Sequence, residues 1–232
     1  MKKIGLLIFI TALIVGIGLA NVFSTGKMTG KIFNFSINHG VSGSGNIASE
    51  KRDLADFSEI EVGGVVQVEA TAGKDFSVEI EADDNLLPFV ITEVSGGVLR
   101  LRTEKSISTK NSIRVKITAP NIESLEVSGA SKVSLGNVSN ENLQIDASGA
   151  SKITVTGETA NLTIDASGAS KIDAENLRSE NVAVDASGAS GVKVFAANGL
   201  KADASGASNI AYAGSPKNLI KKTSGASSVS QK

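Results

Sequence analysis

The chain of 232 residues carries 23 Lys+Arg against 24 Asp+Glu, one His, no Cys, no Trp and 24 Gly, with 41% hydrophobic and only 4% aromatic residues. The charge balance excludes the clustered basic footprint that phosphate neutralisation requires. Without cysteine there is no disulfide framework, thiolate zinc site, thiol nucleophile or lipid-acylated cysteine. The single histidine, His39, argues against a multi-histidine metal centre or a histidine relay, so composition points away from most enzyme classes.

Lys2 and Lys3 precede an uncharged stretch from Ile4 to Gly26, densest over residues 4–20. Residues 1–26 therefore read as a signal peptide or a membrane anchor. The apolar run exceeds the roughly 7–15 residues of a cleaved signal and approaches the roughly 20 of a spanning helix. Gly18 and Ala20 would nonetheless suit a cut before Asn21. Either way the lysines stay inside and the bulk of the chain is exported. Residues 27–44, rich in Gly, Ser and Asn, read as a linker leading into the domain. His39 is expected to be a bystander there, and Phe33 and Phe35 to pack on the first strand rather than on the membrane interface.

Beyond the linker the signal is β throughout. Residues 76–82 (FSVEIEA), 98–102 (VLRLR) and 113–119 (IRVKITA) alternate apolar and polar, punctuated by Gly63–Gly64, Ala72–Gly73 and Gly96–Gly97. One continuous domain over 45–232 is expected.

From residue 121 onward the chain is a repeat. Six Ser-Gly-Ala-Ser tetrapeptides centre on Gly129, Gly149, Gly168, Gly188, Gly206 and Gly225, spaced 20, 19, 20, 18 and 19 residues apart. A short, nearly fixed period with two-residue alternation is the mark of a β-solenoid built from coils of about 19–20 residues. Four residues after each Gly stand Val133, Ile153, Ile172, Val192, Ile210 and Val229. Four before stand Leu125, Ile145, Ile164, Val184 and Ala202, and then Lys221. Stacked at about 4.8 Å, these form two continuous core columns. The glycines are expected at corners that need positive φ or close packing between coils. Glu123 and Lys221 at usually apolar places mark the first and last units as caps.

The sharpest candidate chemistry is an acid three residues before the Gly: Glu126, Asp146, Asp165, Asp185 and Asp203. Paired carboxylates serve general acid/base work or cation binding. Asp146, Asp165, Asp185 and Asp203 are thus candidate cation ligands, weaker as such than as a solvated face. Lys132, Lys152 and Lys171 are the expected counter-charges. Because the acid recurs in five of the six units, no single place stands out as an active site, and no catalytic residue is assigned. The serines flanking each Gly lack a local base, so hydroxyl ladders are expected in place of nucleophiles.

The segments at 43–73 and 83–101, with Gly45-Asn46, Arg52, Phe57, Ile60, Gly73, Leu86, Gly97 and Leu99, followed by the Ser-Gly steps, resemble the autotransporter-adhesin head domain, also called the head GIN domain. The resemblance implies a right-handed parallel β-helix-like fold on an exported bacterial envelope protein, all-β after an N-terminal hydrophobic helix, with no catalytic motif and no cofactor. No membrane barrel follows Gly225, so the chain is not expected to be an autotransporter itself. The expectation is a non-catalytic envelope solenoid, adhesin-like or structural. A membrane-tethered sensor module is the alternative, and a polysaccharide-acting enzyme is disfavoured by the scarcity of aromatic rings. Expected partners are an envelope protein or a cell-surface glycan, the membrane through residues 4–23 if that segment is retained, and a second copy of the chain. Nucleic acid is not among them.

Overall fold

A computed structural model describes residues 40–232. The hydrophobic helix and most of the linker expected from the sequence, including His39, Phe33 and Phe35, lie outside the described residues. Among those described, no helix is long and apolar enough to cross a membrane.

The chain forms seventeen strands and a single 3-10 turn (Leu87–Phe89), with no α-helix among the described residues. The strands are β1 (Val41–Ser42), β2 (Ile47–Arg52), β3 (Glu59–Val62), β4 (Gln67–Ala72), β5 (Ser77–Asp83), β6 (Val90–Ser95), β7 (Val98–Thr103), β8 (Ile107–Ser108) and β9 (Arg114–Ala119). The repeat region adds β10 (Ser124–Val127), β11 (Lys132–Ala147), β12 (Lys152–Ala166), β13 (Lys171–Ala186), β14 (Gly191–Ala204), β15 (Asn209–Ala213), β16 (Asn218–Thr223) and β17 (Ser228–Gln231).

The repeat region is a β-solenoid of about five turns. Each long strand bends around the stack and pairs in parallel with the coil before it and the coil after it. Both core columns form as the alternation predicts. Leu125, Ile145, Ile164, Val184 and Ala202 lie in register and buried, as do Val133, Ile153, Ile172, Val192 and Ile210. At the far end Lys221 replaces the aliphatic residue and lays its ammonium over the Tyr212 ring at 4.6 Å. A cation over a ring face closes the column where an apolar side chain would be left in water.

The corners explain the tetrapeptide. Every repeat glycine has positive φ, between 69° and 78°. The corner also continues the hydrogen-bond ladder: the Ala169 N–H donates to Gly149 O at 2.7 Å, and the Ala189 N–H to Gly168 O at 2.7 Å. A Cβ built on Gly168 would stand 2.6 Å from Gly149 O and 3.0 Å from Gly149 N, both backbone atoms that cannot step aside. Positive φ and close approach, posed by the sequence as alternatives, act together.

The stack extends below the first tetrapeptide, and there the order ceases to be sequential. Gly64, also at positive φ, lies directly beneath Gly129, so the divergent Val62–Val65 segment is a corner of the same kind. Strands β3 and β4 lie under β10 and β11, and beneath them lie β7 and β9, which come later in the sequence. The intervening segment, β5 to β6, reverses direction and pairs antiparallel with β9 and β7, while β2 adds antiparallel to β5. The reversed strands close this end of the core with Phe57, Leu86 and Leu87 buried and Phe57 tilted on Phe76 at 5.1 Å. The domain also includes residues before position 45, since β1 pairs with β8.

Gly168→Val is expected to cost roughly 1–3 kcal/mol in backbone strain and about as much again in overpacking, with Gly168→Ala destabilising as well. Lys171→Ser, on the exposed face, should change stability by less than about 0.5 kcal/mol. Urea melts followed by far-ultraviolet circular dichroism decide it: equal midpoints for Gly168→Val and Lys171→Ser would contradict the corner.

Candidate functional site

Parallel register brings the acids predicted from the sequence into one outward column. Glu126 stands over Glu61, and Asp146, Asp165, Asp185 and Asp203 follow in consecutive coils. Steps of about 4.8 Å between like charges are repulsive, and basic residues stand at both ends of the column. At one end Arg100 Nε donates to Glu61 Oε2 at 2.9 Å; at the other Lys222 stands over Asp203. Midway, burial raises the Asp165 carboxyl above its ordinary value, with the charges of Asp146 and Asp185 adding to the shift. Gln144 Nε2 donates to Asp146 Oδ2 at 2.8 Å. Among the described residues no three His, Asp or Glu side chains are grouped so as to hold a metal ion.

The expected counter-charges do not pair with these acids. Lys132, Lys152 and Lys171 form their own column, and none makes an ion pair with the acid column among the described residues. The reason is the corner: the acid precedes it and the lysine follows it, so the two columns face solvent from strands that point in different directions.

The serines are structural. Ser131, Ser151, Ser170, Ser190 and Ser208 point inward and are buried. Where they bond, they donate across the stack to backbone carbonyls, as Ser131 does to Gly64 at 3.1 Å and Ser208 to Ala186 at 2.9 Å. No continuous hydroxyl ladder forms, since the buried Ser151 and Ser170 hydroxyls have no hydrogen-bond partner. A true side-chain ladder lies elsewhere: Asn181 Nδ2 donates to Asn161 Oδ1 at 3.2 Å, and Asn161 Nδ2 to Asn142 Oδ1 at 3.1 Å. Its signal was present in the sequence, since Asn142, Asn161, Asn181 and Asn218 all stand seven residues before a repeat glycine.

A second polar cluster ties down the start of the domain. Asp83, buried, accepts from Thr109 Oγ1 at 2.5 Å and Asn111 Nδ2 at 2.7 Å. These bonds, Thr109 first, hold its carboxyl below the ordinary value, with the Gly45 N–H contributing. Next to it, Asn85 Oδ1 accepts from the Ser44 N–H at 2.9 Å, and Asn85 Nδ2 donates to Ser42 O at 2.8 Å. The Asp-Asp-Asn run at 83–85 thus clasps residues 42–45. The Gly/Ser content that reads as linker here is the small-residue surface that the clasp requires.

The model of the family described as "Putative auto-transporter adhesin, head GIN domain" matches residues 56–216. The chain belongs to this family. Among solved structures, a "putative adhesin" from Bacteroides fragilis is similar, with a TM-score of 0.66 and 21% identity, over 82% of this chain and 98% of that one. Another "putative adhesin", from Parabacteroides merdae, gives a TM-score of 0.52 at 19% identity, over 83% and 98%. A "putative lipid binding protein" from Parabacteroides distasonis gives 0.52 at 18%, over 83% and 99%. At these identities the likeness is one of fold. No match was found among curated proteins.

The two perturbed carboxyls predict opposite pH dependences. Asp83, lowered, contributes stability that is present above its ordinary value of 3.8 and lost as pH falls through its folded value. Asp165, raised, contributes stability that is present below 3.8 and lost as pH rises through its folded value. Asp83→Asn should therefore reduce hydrogen-exchange protection at 41–46 and 107–111 at neutral pH. Asp165→Asn should raise the melting temperature slightly at neutral pH and leave it unchanged under acid conditions. A neutral-pH melt lowered by Asp165→Asn would contradict the repulsive column.

Proposed function

We propose that the protein is a non-catalytic, exported cell-envelope solenoid whose outer columns serve as an adhesin-like interaction surface. The observation that carries this reading is the equivalence of the coils. Over β11 to β13 the acids, lysines and asparagines recur in register, and the acid continues into β14, where Gly191 and Gly199 take the other two places. Such repetition suits repeated weak contacts with an extended partner. Family membership and the fold shared with adhesin-described structures support it. The hydrophobic segment at residues 4–23 supplies the export signal and, if retained, the tether.

Two expectations follow. Protease shaving of intact cells that produce the full-length tagged chain should release fragments from residues 40–232, and deleting the gene should weaken attachment to a host-cell or polysaccharide-coated surface. A chain resistant to shaving on intact cells yet cleaved after lysis would overturn the surface reading. Asp146→Asn, Asp165→Asn and Asp185→Asn should fold as the parent does, because exposed acids contribute little. No glycan depolymerisation should accompany the parent; cleavage abolished by one of these changes would make it an enzyme.

A further inference from the structure

The coils are equivalent on two sides and unequal on the third. All register shifts between consecutive long strands fall there, at Leu135/Val138, Thr154/Thr156, Ala174/Arg178 and Ser179/Asn181. The largest is at β13–β14: Glu175–Leu177 have no opposite number, since Ala174 pairs with Val194 and Arg178 with Phe195. This is where the spacing falls from 20 to 18 residues. Beside the second β13–β14 shift, where Ala197 and Asn198 stand against the single Glu180, lies a trough of roughly 440 Å³ running across four coils along the stack axis.

One wall is the column Ser139, Glu158, Arg178 and Phe195, in register. Across three inter-strand steps of about 4.8 Å it is roughly 14 Å long. The floor is Asn140, Thr159 and Ser179, the last two buried. Asn140 donates its amide to Ile122 O at 2.9 Å, while its buried Oδ1 has no hydrogen-bond partner. Phe195 closes one end with Arg178 5.8 Å from its ring centroid. Beyond residue 90 the sequence has only one other aromatic residue, Tyr212, which is buried in the core.

We propose that this trough binds a neutral oligosaccharide, an assignment that rests on the adhesin-like reading and gives it a ligand class. The exposed lining combines planar polar side chains, the Ser139 hydroxyl and one ring, which matches a ligand with polar rims and an apolar ring face. The Thr159 and Ser179 hydroxyls beneath are committed to the carbonyls of Asn161 and Leu177. Glu158 and Glu180 beside Arg178 leave the trough with no excess positive charge, so phosphate and uronate polymers are disfavoured. An added peptide strand is disfavoured by direction. The trough runs across the strands, and the backbone groups along it are already paired from coil to coil. A length of roughly 14 Å accommodates a short oligosaccharide.

The test uses the purified full-length chain in a detergent without a sugar headgroup, probed with cellobiose, lactose, mannobiose and N,N′-diacetylchitobiose. Saturation-transfer nuclear magnetic resonance should show contact with at least one of them at a millimolar dissociation constant, and amide shifts should map to residues 139–140, 158–160, 178–180 and 195–198. Phe195→Leu, chosen to preserve the fold, should weaken binding at least about fivefold, with Lys171→Ser unchanged. Circular dichroism melts report whether each variant folds; a misfolded Phe195→Leu would be replaced by Glu158→Gln, for which the same loss is expected. No transfer from any of the four sugars, or binding indifferent to these changes, would overturn the trough assignment. Cells that still adhere with Phe195→Leu would retain the adhesin-like reading while losing this ligand; failure of surface exposure would remove that reading by itself.

Discussion

Each repeat glycine carbonyl accepts the N–H of the alanine one coil further on, while the next glycine lies directly over the same peptide. That contact has no room for a Cβ and needs a backbone conformation that side chains rarely adopt. The remaining geometry follows from it. With the corner held to one backbone spacing, residues four before and four after it return to the same place in every coil and their side chains stack. Apolar burial then accumulates along the column, although one coil alone has too little surface to bury. A core of Val, Ile, Leu and Ala suffices because stacking is set by the backbone and needs no large rings to fill an irregular interior.

The same regularity sets the electrostatics. A fixed register turns any residue type that recurs in the unit into a ladder, whether or not like neighbours attract. Asparagine gains from this, since each amide both donates and accepts along the stack. Aspartate loses: burial first, and then the charges of Asp146 and Asp185 on either side, raise the Asp165 carboxyl. The arrangement is bearable because the carboxylates face solvent and basic residues stand at the ends. A repulsive column that persists through five coils is not explained by folding stability.

Much of this was legible before any coordinates, for a physical reason. Where coil follows coil in sequence, period and alternation encode contact directly, so Gly129 to Gly225, both core columns and the acid column were placed correctly. The reading failed where contact ceased to be sequential. Nothing in the spacing of Gly64 and Gly129 shows that they stack across 65 residues of sequence, because β5 to β9 are inserted between them and fold back underneath. The lysines were misread as partners of the acids because a count of three before and three after a glycine ignores the turn between them. The clasp of Asp83, Thr109 and Asn111 joins segments whose local composition reads only as loop.

Variation in coil length has to be absorbed somewhere, and the corner and the two sides that hold the in-register core columns cannot take it. A residue inserted there would shift the alternation and turn a column of aliphatic side chains outward. The third side absorbs the difference in bulges, where Asn137 and Asn176 are exposed and Leu177 turns into the core, and the chain rejoins the register by Asn142, Asn161, Asn181 and Gly199. It is therefore the part of the solenoid where sequence is free to differ between coils. It is also where Arg178 and Phe195 stand at the column position occupied by Ser139 and Glu158 in earlier coils. In a molecule whose backbone register is otherwise kept from coil to coil, recognition of a particular ligand is served best where that register is broken. The geometry permits that break on one side only.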